Sequence, residues 1–190
     1  MPHDLTDGPL ADLPDPAEIL DSEVVFSGHV WDVRRERFRL GGDELSREFV
    51  AHTGAVAVVA RDDEGRILLI NQYRHPIRTR DWELPAGLLD IPGEDPLAAA
   101  ARELAEEADL AAEQWEPLLE FRTSPGGSDE LIRVYLAEGL SETEAFARSE
   151  EEAEIVRRWA PLPEVVAAIL DGRIVNSILI VAALTLHVRG

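Results

Sequence analysis

The sequence contains no cysteine at any of its 190 positions. Disulfide bonds and thiolate metal sites are therefore excluded, and any metal must be held by oxygen or imidazole ligands. The apolar run near the C-terminus, Ile178–Leu186, is too short to span a bilayer. The first ten residues lack a basic segment followed by an apolar stretch, which argues against a signal peptide. We therefore expect a cytoplasmic protein.

Basic residues are scarce, with 18 Lys and Arg against 38 Asp and Glu, so the formal net charge is −20. A surface this acidic repels nucleic acid and anionic membranes, and neither is expected as a partner. A phosphate-bearing ligand would need cations gathered locally. The apolar fraction of 45% is sufficient for a folded core, and the length favours one main domain.

Shifts in composition divide the chain into three segments. Residues 1–22 are rich in Pro and Asp and are predicted to form a flexible tail. Residues 23–50 alternate like strands, with a Gly41–Gly42 turn, and predict a small N-terminal sheet. Residues 51–190 form the main domain, in which strands precede a helix and further strands and helices follow. This order predicts a mixed α/β (α+β) fold.

Two apolar runs, AVAVVA and ILLI, lie between Gly54 and Asn71 and are separated by the turn-like segment Asp62–Gly65. Their spacing predicts two adjacent antiparallel strands. The segment 94–109 is the strongest helical pattern, because Asp95 followed by Pro96 is a favourable helix start. Leu97, Ala101, Leu104 and Ala108 would line its buried face.

Glu103, Glu106 and Glu107 lie at positions i, i+3 and i+4 of that helix, so their carboxylates share one face. Like charges at this spacing cost roughly 0.2–0.5 kcal/mol per pair, and Arg102 can offset part of this cost by pairing with Glu106. A cation between Glu103 and Glu107 would turn the remaining repulsion between the carboxylates into a net attraction. Carboxylates without imidazole or thiolate suit Mg²⁺ or Mn²⁺. The alternative is an ordinary solvated acidic surface.

The sequence from Gly87 to Leu110 reads GLLDIPGEDPLAAAARELAEEADL. It resembles the Nudix box, in which a glycine and a loop precede Glu, seven residues, and then Arg-Glu-apolar-x-Glu-Glu-x-Gly-apolar. Two departures occur: the loop after Gly87 carries one extra residue, and Asp109 replaces the final glycine. An insertion in a loop costs little, and Asp tolerates a left-handed C-cap.

The resemblance implies a Nudix fold, with a mixed β-sheet flanked by helices and a small N-terminal antiparallel sheet. It also implies a metal-dependent hydrolase that holds Mg²⁺ or Mn²⁺, more than one ion per site. The implied metal ligands are Glu103, Glu106, Glu107 and the carbonyl of Ala86. Glu94 and Arg102 would orient the cluster.

Three further segments resemble the ADP-ribose pyrophosphatase branch of this family: NQYRH at 71–75, WELPAG at 82–87, and Pro125, fifteen residues beyond Leu110. The chain end GRIVNSILIVAAL also fits that branch. The implied reaction is hydrolysis of ADP-ribose to AMP and ribose 5-phosphate. Alternatives are a different nucleoside diphosphate sugar as substrate, or a non-catalytic ADP-ribose-binding regulator.

The same resemblance implies a homodimer built with the N-terminal sheet and assigns the remaining site residues. The implied substrate-binding residues are Arg47, Arg74, Glu83, Pro125 and Gly126. For the two arginines and Glu83, ordinary surface or strand-edge positions remain the alternative. The implied catalytic residues are Glu107, Arg102, and Glu151 or Glu152 as the base in the loop 149–155, which is otherwise a solvated acidic loop.

Overall fold

The computed structural model describes residues 10–144 and 154–190, and the chain divides into two compact units between Phe49 and Val50. The strands are β1 (Glu18–Ser27), β2 (Asp32–Leu40), β3 (Asp43–Ala51), β4 (Ala55–Ala60), β5 (Arg66–Arg74), β6 (Thr79–Glu83), β7 (Ala86–Leu88), β8 (Leu110–Arg122), β9 (Leu131–Glu142) and β10 (Val156–Pro161). The helices are α1 (Pro96–Ala108), α2 (Leu162–Leu170) and α3 (Ser177–Arg189).

The N-terminal unit is a three-stranded sheet in the order β1-β2-β3. β1 starts at Glu18, inside the segment 1–22 that composition predicts to be a flexible tail. Glu18 is paired across the sheet with Arg39, and their side chains form an ion pair of 2.9 Å. Cross-strand pairing therefore extends the strand beyond what composition alone indicates.

The second unit contains two sheets, with strand orders β7-β4-β9-β8 and β10-β5-β6. β4 and β9 are parallel, whereas β7 and β8 lie antiparallel at the two edges of the first sheet. Alternate residues of β4 point to opposite sides: Ala57 and Val59 join a core that includes α2 and α3, whereas Val56 and Val58 join a core that includes α1. The predicted mixed sheet flanked by helices is confirmed.

The prediction that the runs AVAVVA and ILLI form neighbouring strands is wrong. They become β4 and β5, which lie in different sheets and share only the isolated bridge between Arg61 and Ile67. The turn between them forms as its composition indicates, because Asp62 accepts hydrogen bonds from the backbone of Glu64 and Arg66. A strand has only two edges, and those of β4 are occupied by β7 and β9.

The buried face of α1 differs by one position from the prediction. Ala100, Leu104 and Ala108 are buried, whereas Leu97 is 37% exposed and Ala101 is also exposed. Five consecutive apolar residues at 97–101 leave the helical phase undetermined, which explains the error. None of the helices that the structure describes is long and apolar enough to cross a membrane.

Candidate active site

Helix α1 is fixed at both of its ends by Asp residues. The Asp95 carboxylate accepts hydrogen bonds from the backbone N–H of Leu97 at 2.9 Å and of Ala98 at 3.4 Å, which makes it the N-cap. At the other end Asp109 adopts the left-handed conformation with φ 55° and ψ 39°. The glutamates of the predicted metal site lie between these caps.

Glu107 is buried, and its carboxylate accepts a hydrogen bond of 2.9 Å from the backbone N–H of Ala86. The register of β7 explains why this N–H is available. Val58 N–H donates to the Pro85 carbonyl at 2.8 Å, so the next position, Ala86, belongs to a pair without hydrogen bonds to β4. The N–H and carbonyl of Ala86 therefore face away from β4, as the predicted role of that carbonyl requires.

Glu103 lies against the next residue of β7. A Cβ atom added to Gly87 would stand 2.0 Å from the Glu103 carboxyl carbon, so only glycine leaves this carboxylate its present position. The two predicted ligands, one helical turn apart, thus contact consecutive residues of one short strand. The structure brings Glu103, Glu107 and Ala86 together.

Arg102 organises the remaining acids of the box. Its guanidinium contacts Glu94 at 3.1 Å, Glu103 at 2.6 Å and Glu106 at 2.9 Å. The hydrogen bonds that the guanidinium donates to Glu94 raise the pKa of Arg102 above its ordinary value, and burial opposes this only in part. The guanidinium therefore stays charged and offsets the repulsion among the carboxylates. Glu106 is the most exposed of them, at 39% of its side chain.

The donor set on α1 and β7 consists of carboxylates and a backbone carbonyl, which are the ligands that Mg²⁺ and Mn²⁺ prefer. The space at Gly87 and the outward-facing peptide of Ala86 both fit a cation at this position. Within residues 10–144 and 154–190, no three acidic or imidazole side chains are grouped as a ready-made metal site. One guanidinium nitrogen of Arg102 contacts both Glu103 and Glu106 and therefore occupies the space between their carboxylates.

Arg74 and Glu83 form a bidentate ion pair, with nitrogen–oxygen distances of 2.8 and 2.6 Å. Glu83 is buried, and Arg74 is half-buried beside it. In the antiparallel pairing of β5 with β6, Arg74 lies opposite Thr79 and Glu83 opposite Ile70, so the two side chains meet along the strands rather than directly across them. Arg47 belongs to the N-terminal unit, where it is exposed and donates to the Ser46 carbonyl at 2.7 Å.

Pro125 and Gly126 lie exposed in a turn that follows β8. The turn is anchored through Gly127, whose carbonyl accepts a hydrogen bond of 2.9 Å from the N–H of Val50. The imidazole of His52, 5% exposed, lies 3.2 Å from the Glu130 carboxylate at the far end of the same turn. Sequence reasoning missed His52, because only the fold brings it to a residue that is far along the chain.

A second missed feature is the ion pair of 2.8 Å between Arg157 and Asp109 at the end of α1. Asp109 was identifiable as a substitution at a helix end, but nothing in the sequence connects it to an arginine in β10. The candidate bases Glu151 and Glu152 lie outside the residues that the structure describes.

Comparison with known proteins adds independent findings. The sequence pattern of the NUDIX domain matches residues 51–178. The chain is 47% identical over 171 residues to the ADP-ribose pyrophosphatase of Mycobacterium tuberculosis, covering 90% of this chain and 83% of that protein. It is 39% identical over 171 residues to the methanol dehydrogenase activator of Bacillus methanolicus, covering 90% and 92%. A crystal structure of an ADP compounds hydrolase matches the fold with a TM-score of 0.79 at 21% identity, covering 93% and 95%.

Proposed function

The chain belongs to the Nudix family of hydrolases, and from that premise we propose that it hydrolyses the pyrophosphate bond of ADP-ribose to AMP and ribose 5-phosphate. The 47% identity to an ADP-ribose pyrophosphatase supports this substrate. The observation that carries the proposal is the convergence of Glu103 and Glu107 on Ala86 and Gly87. Two acidic oxygens and a backbone carbonyl at one point suit a site that binds a diphosphate through cations.

We propose Mg²⁺ or Mn²⁺ as the cofactor, with more than one ion held by Glu103, Glu106, Glu107 and the Ala86 carbonyl. A divalent cation bound there supplies charge neutralisation for the diphosphate oxygens and acidifies a water molecule. The chain's own contribution is to preassemble the acids around Arg102, which compensates their charge until a cation takes its place. Such cations also explain how a chain of net charge −20 binds an anionic substrate.

The remaining site residues act on the substrate in our proposal. Arg74 binds the diphosphate or the terminal ribose, and the buried carboxylate of Glu83 orients its guanidinium. Arg47 contributes a second cation, and the turn with Pro125 and Gly126 contacts the substrate. Glu151 or Glu152 is the base that removes a proton from the attacking water, and Glu107 and Arg102 complete the catalytic set.

We also propose that the protein is a homodimer formed with the N-terminal sheet. The apolar side chains exposed on that unit support this proposal. They are Ile19, Val24, Val25, Phe26, Val30, Trp31 and Leu40. Burial of these side chains against a second copy would remove apolar surface from water and so favour a dimer.

A substrate panel tests the reaction. Turnover of ADP-ribose, ADP-mannose, GDP-mannose, NADH and a dinucleoside polyphosphate is measured with Mg²⁺, and the highest kcat/KM is expected for ADP-ribose. Preference for ADP-mannose would favour another nucleoside diphosphate sugar as the substrate. Preference for any of the last three compounds would contradict the proposal.

Glu107→Gln tests the metal assignment. The glutamine oxygen can still accept the hydrogen bond from the N–H of Ala86, so the fold is expected to persist. The loss of one ligand charge should lower turnover by about 100-fold or more. Glu116→Gln is the matched control, because Glu116 is an exposed β8 residue whose side chain pairs with Arg189. Equal activity of Glu107→Gln and Glu116→Gln would contradict the assignment of Glu107 as a metal ligand.

A second candidate function is activation of another enzyme, which the 39% identity to a methanol dehydrogenase activator favours. The complete set of box glutamates favours catalysis, so we rank activation of another enzyme second. The protein and its Glu107→Gln variant are each added to a methanol dehydrogenase. Activation that survives in Glu107→Gln would establish a role without hydrolysis, whereas activation lost with turnover would make it a consequence of hydrolysis.

A further inference from the structure

The helix that carries the proposed metal ligands ends on a residue in an unfavourable backbone conformation. Asp109 has φ 55°, a region that glycine enters freely and that other residues enter at a cost. Its N–H donates to the Ala105 carbonyl at 3.0 Å, which closes the last turn of α1. Asp tolerates this conformation better than most residues do, and contacts to Asp109 compensate for the cost that remains.

Two neighbouring strands supply the compensation. Thr143, just after β9, donates its N–H to the Asp109 carbonyl at 2.9 Å. Arg157 of β10 donates from one guanidinium nitrogen to both the Asp109 carboxylate, at 2.8 Å, and the carbonyl of Ala108. A cation beside the final carbonyls of a helix is also favoured by the helix dipole. The Asp109 side chain is 14% exposed and that of Arg157 is 42% exposed, so the contact is shielded from water on the Asp109 side only.

The position of Glu107 gives this contact its functional meaning. Glu107 is the penultimate residue of α1, and the last turn is where helices fray, because its carbonyls lack partners within the helix. A metal ligand there needs its turn to be held. We propose that Arg157 is a positioning residue that, through Asp109 and Ala108, fixes the last turn of α1 and therefore the carboxylate of Glu107. This inference rests on the proposed function for the role of Glu107.

Rescue by glycine is the test of this proposal. Arg157→Ala should weaken Mn²⁺ binding and lower kcat at saturating Mn²⁺ by about tenfold, because a misplaced ligand is costly. Asp109→Gly should change either quantity by less than about threefold, because glycine caps the helix without strain. The variant that combines Asp109→Gly with Arg157→Ala should recover most of the Mn²⁺ affinity and kcat that Arg157→Ala alone loses. Both quantities should lie within about threefold of their values in Asp109→Gly, as expected for coupled residues.

Amide hydrogen exchange in the last turn of α1 gives a readout that does not depend on turnover. The amides of Glu107 and residue 109 should exchange about tenfold faster in Arg157→Ala and return towards the wild-type rate in the double variant. Arg158→Ala is the control, because Arg158 is the next residue of β10 and pairs instead with Glu164 of α2. It should leave Mn²⁺ binding and exchange in α1 unchanged.

Two results would overturn the inference: an unchanged last turn in Arg157→Ala, or a double variant as impaired as Arg157→Ala alone. Failure of the proposed function is recognised separately, as wild-type protein that does not hydrolyse ADP-ribose, or as Mn²⁺ affinity unaffected by Glu107→Gln. In either case the exchange rates still decide whether Arg157 holds the helix end. They are compared among the wild type, Arg157→Ala, Arg158→Ala and the double variant.

Discussion

Because Gly87 contacts the Glu103 carboxylate, a substitution at position 87 should lower activity much more than stability. A Cβ at position 87 would meet the end of a flexible side chain rather than backbone, so the fold can absorb it by moving the Glu103 carboxylate. We therefore expect Gly87→Ala to change the free energy of unfolding by less than about 1 kcal/mol. Turnover should fall by about tenfold or more, because the displaced carboxylate is a proposed metal ligand. Urea unfolding and a turnover assay measure the two effects.

Gly127→Ala is the matched control for this substitution. A Cβ at Gly127 meets no atom within 4 Å, and its backbone is not in the left-handed region. The free energy of unfolding should stay at the wild-type level, and Gly127→Ala controls for stability alone because Gly127 adjoins the turn that is proposed to contact the substrate. If Gly87→Ala retains full turnover, Glu103 does not need its present position and is not a metal ligand.

The residues of the site differ in how far the sequence predicts them. Glu103 and Glu107 are one helical turn apart, so local spacing is enough to predict that they lie together. The ion pair of Arg74 with Glu83 joins residues of β5 and β6 that do not lie opposite each other in the register, so residue spacing does not predict it. The contact between Arg157 and Asp109 joins residues far apart in the chain, and only the assembled fold creates it.

At the scale of elements, the N-cap of α1 makes a testable contribution to stability. Asp95 accepts hydrogen bonds from two N–H groups that have no partner within the helix. Asp95→Ala should lower the free energy of unfolding by about 1 kcal/mol, as measured in urea. Asp95→Asn keeps an accepting oxygen and should lower it far less. Equal losses in both variants would show that the charge of Asp95, rather than its hydrogen bonds, stabilises the helix.

The positions of helices and turns are largely predictable from the sequence, whereas the pairing of the strands is not. The N-cap at Asp95 is a local signal, and α1 begins directly after it. The turn at Asp62 is local as well, and it forms. Whether the strands that flank the turn pair with each other depends on competition for the edges of β4, which distant segments win. Local chemistry therefore predicts where the chain turns and leaves the strand order undetermined.

At the scale of the whole molecule, the net charge of −20 opposes self-association. The exposed apolar side chains of the N-terminal unit favour it. The balance between these two effects should depend on salt, because raising ionic strength from about 0.01 to 0.15 M shortens the screening length from about 30 to 8 Å. A dimer held by apolar contacts should therefore tighten as salt is added.

Sedimentation equilibrium at both ionic strengths measures the affinity of the proposed dimer. Phe26, 62% exposed on β1, is the residue to change. Phe26→Glu removes apolar area and adds repulsion, so it should weaken dimerisation by about 100-fold and leave thermal unfolding of a dilute sample unchanged. Val188→Glu is the control, because it adds the same charge at an 83% exposed apolar position of α3. If Val188→Glu dissociates the dimer and Phe26→Glu does not, the interface lies outside the N-terminal sheet.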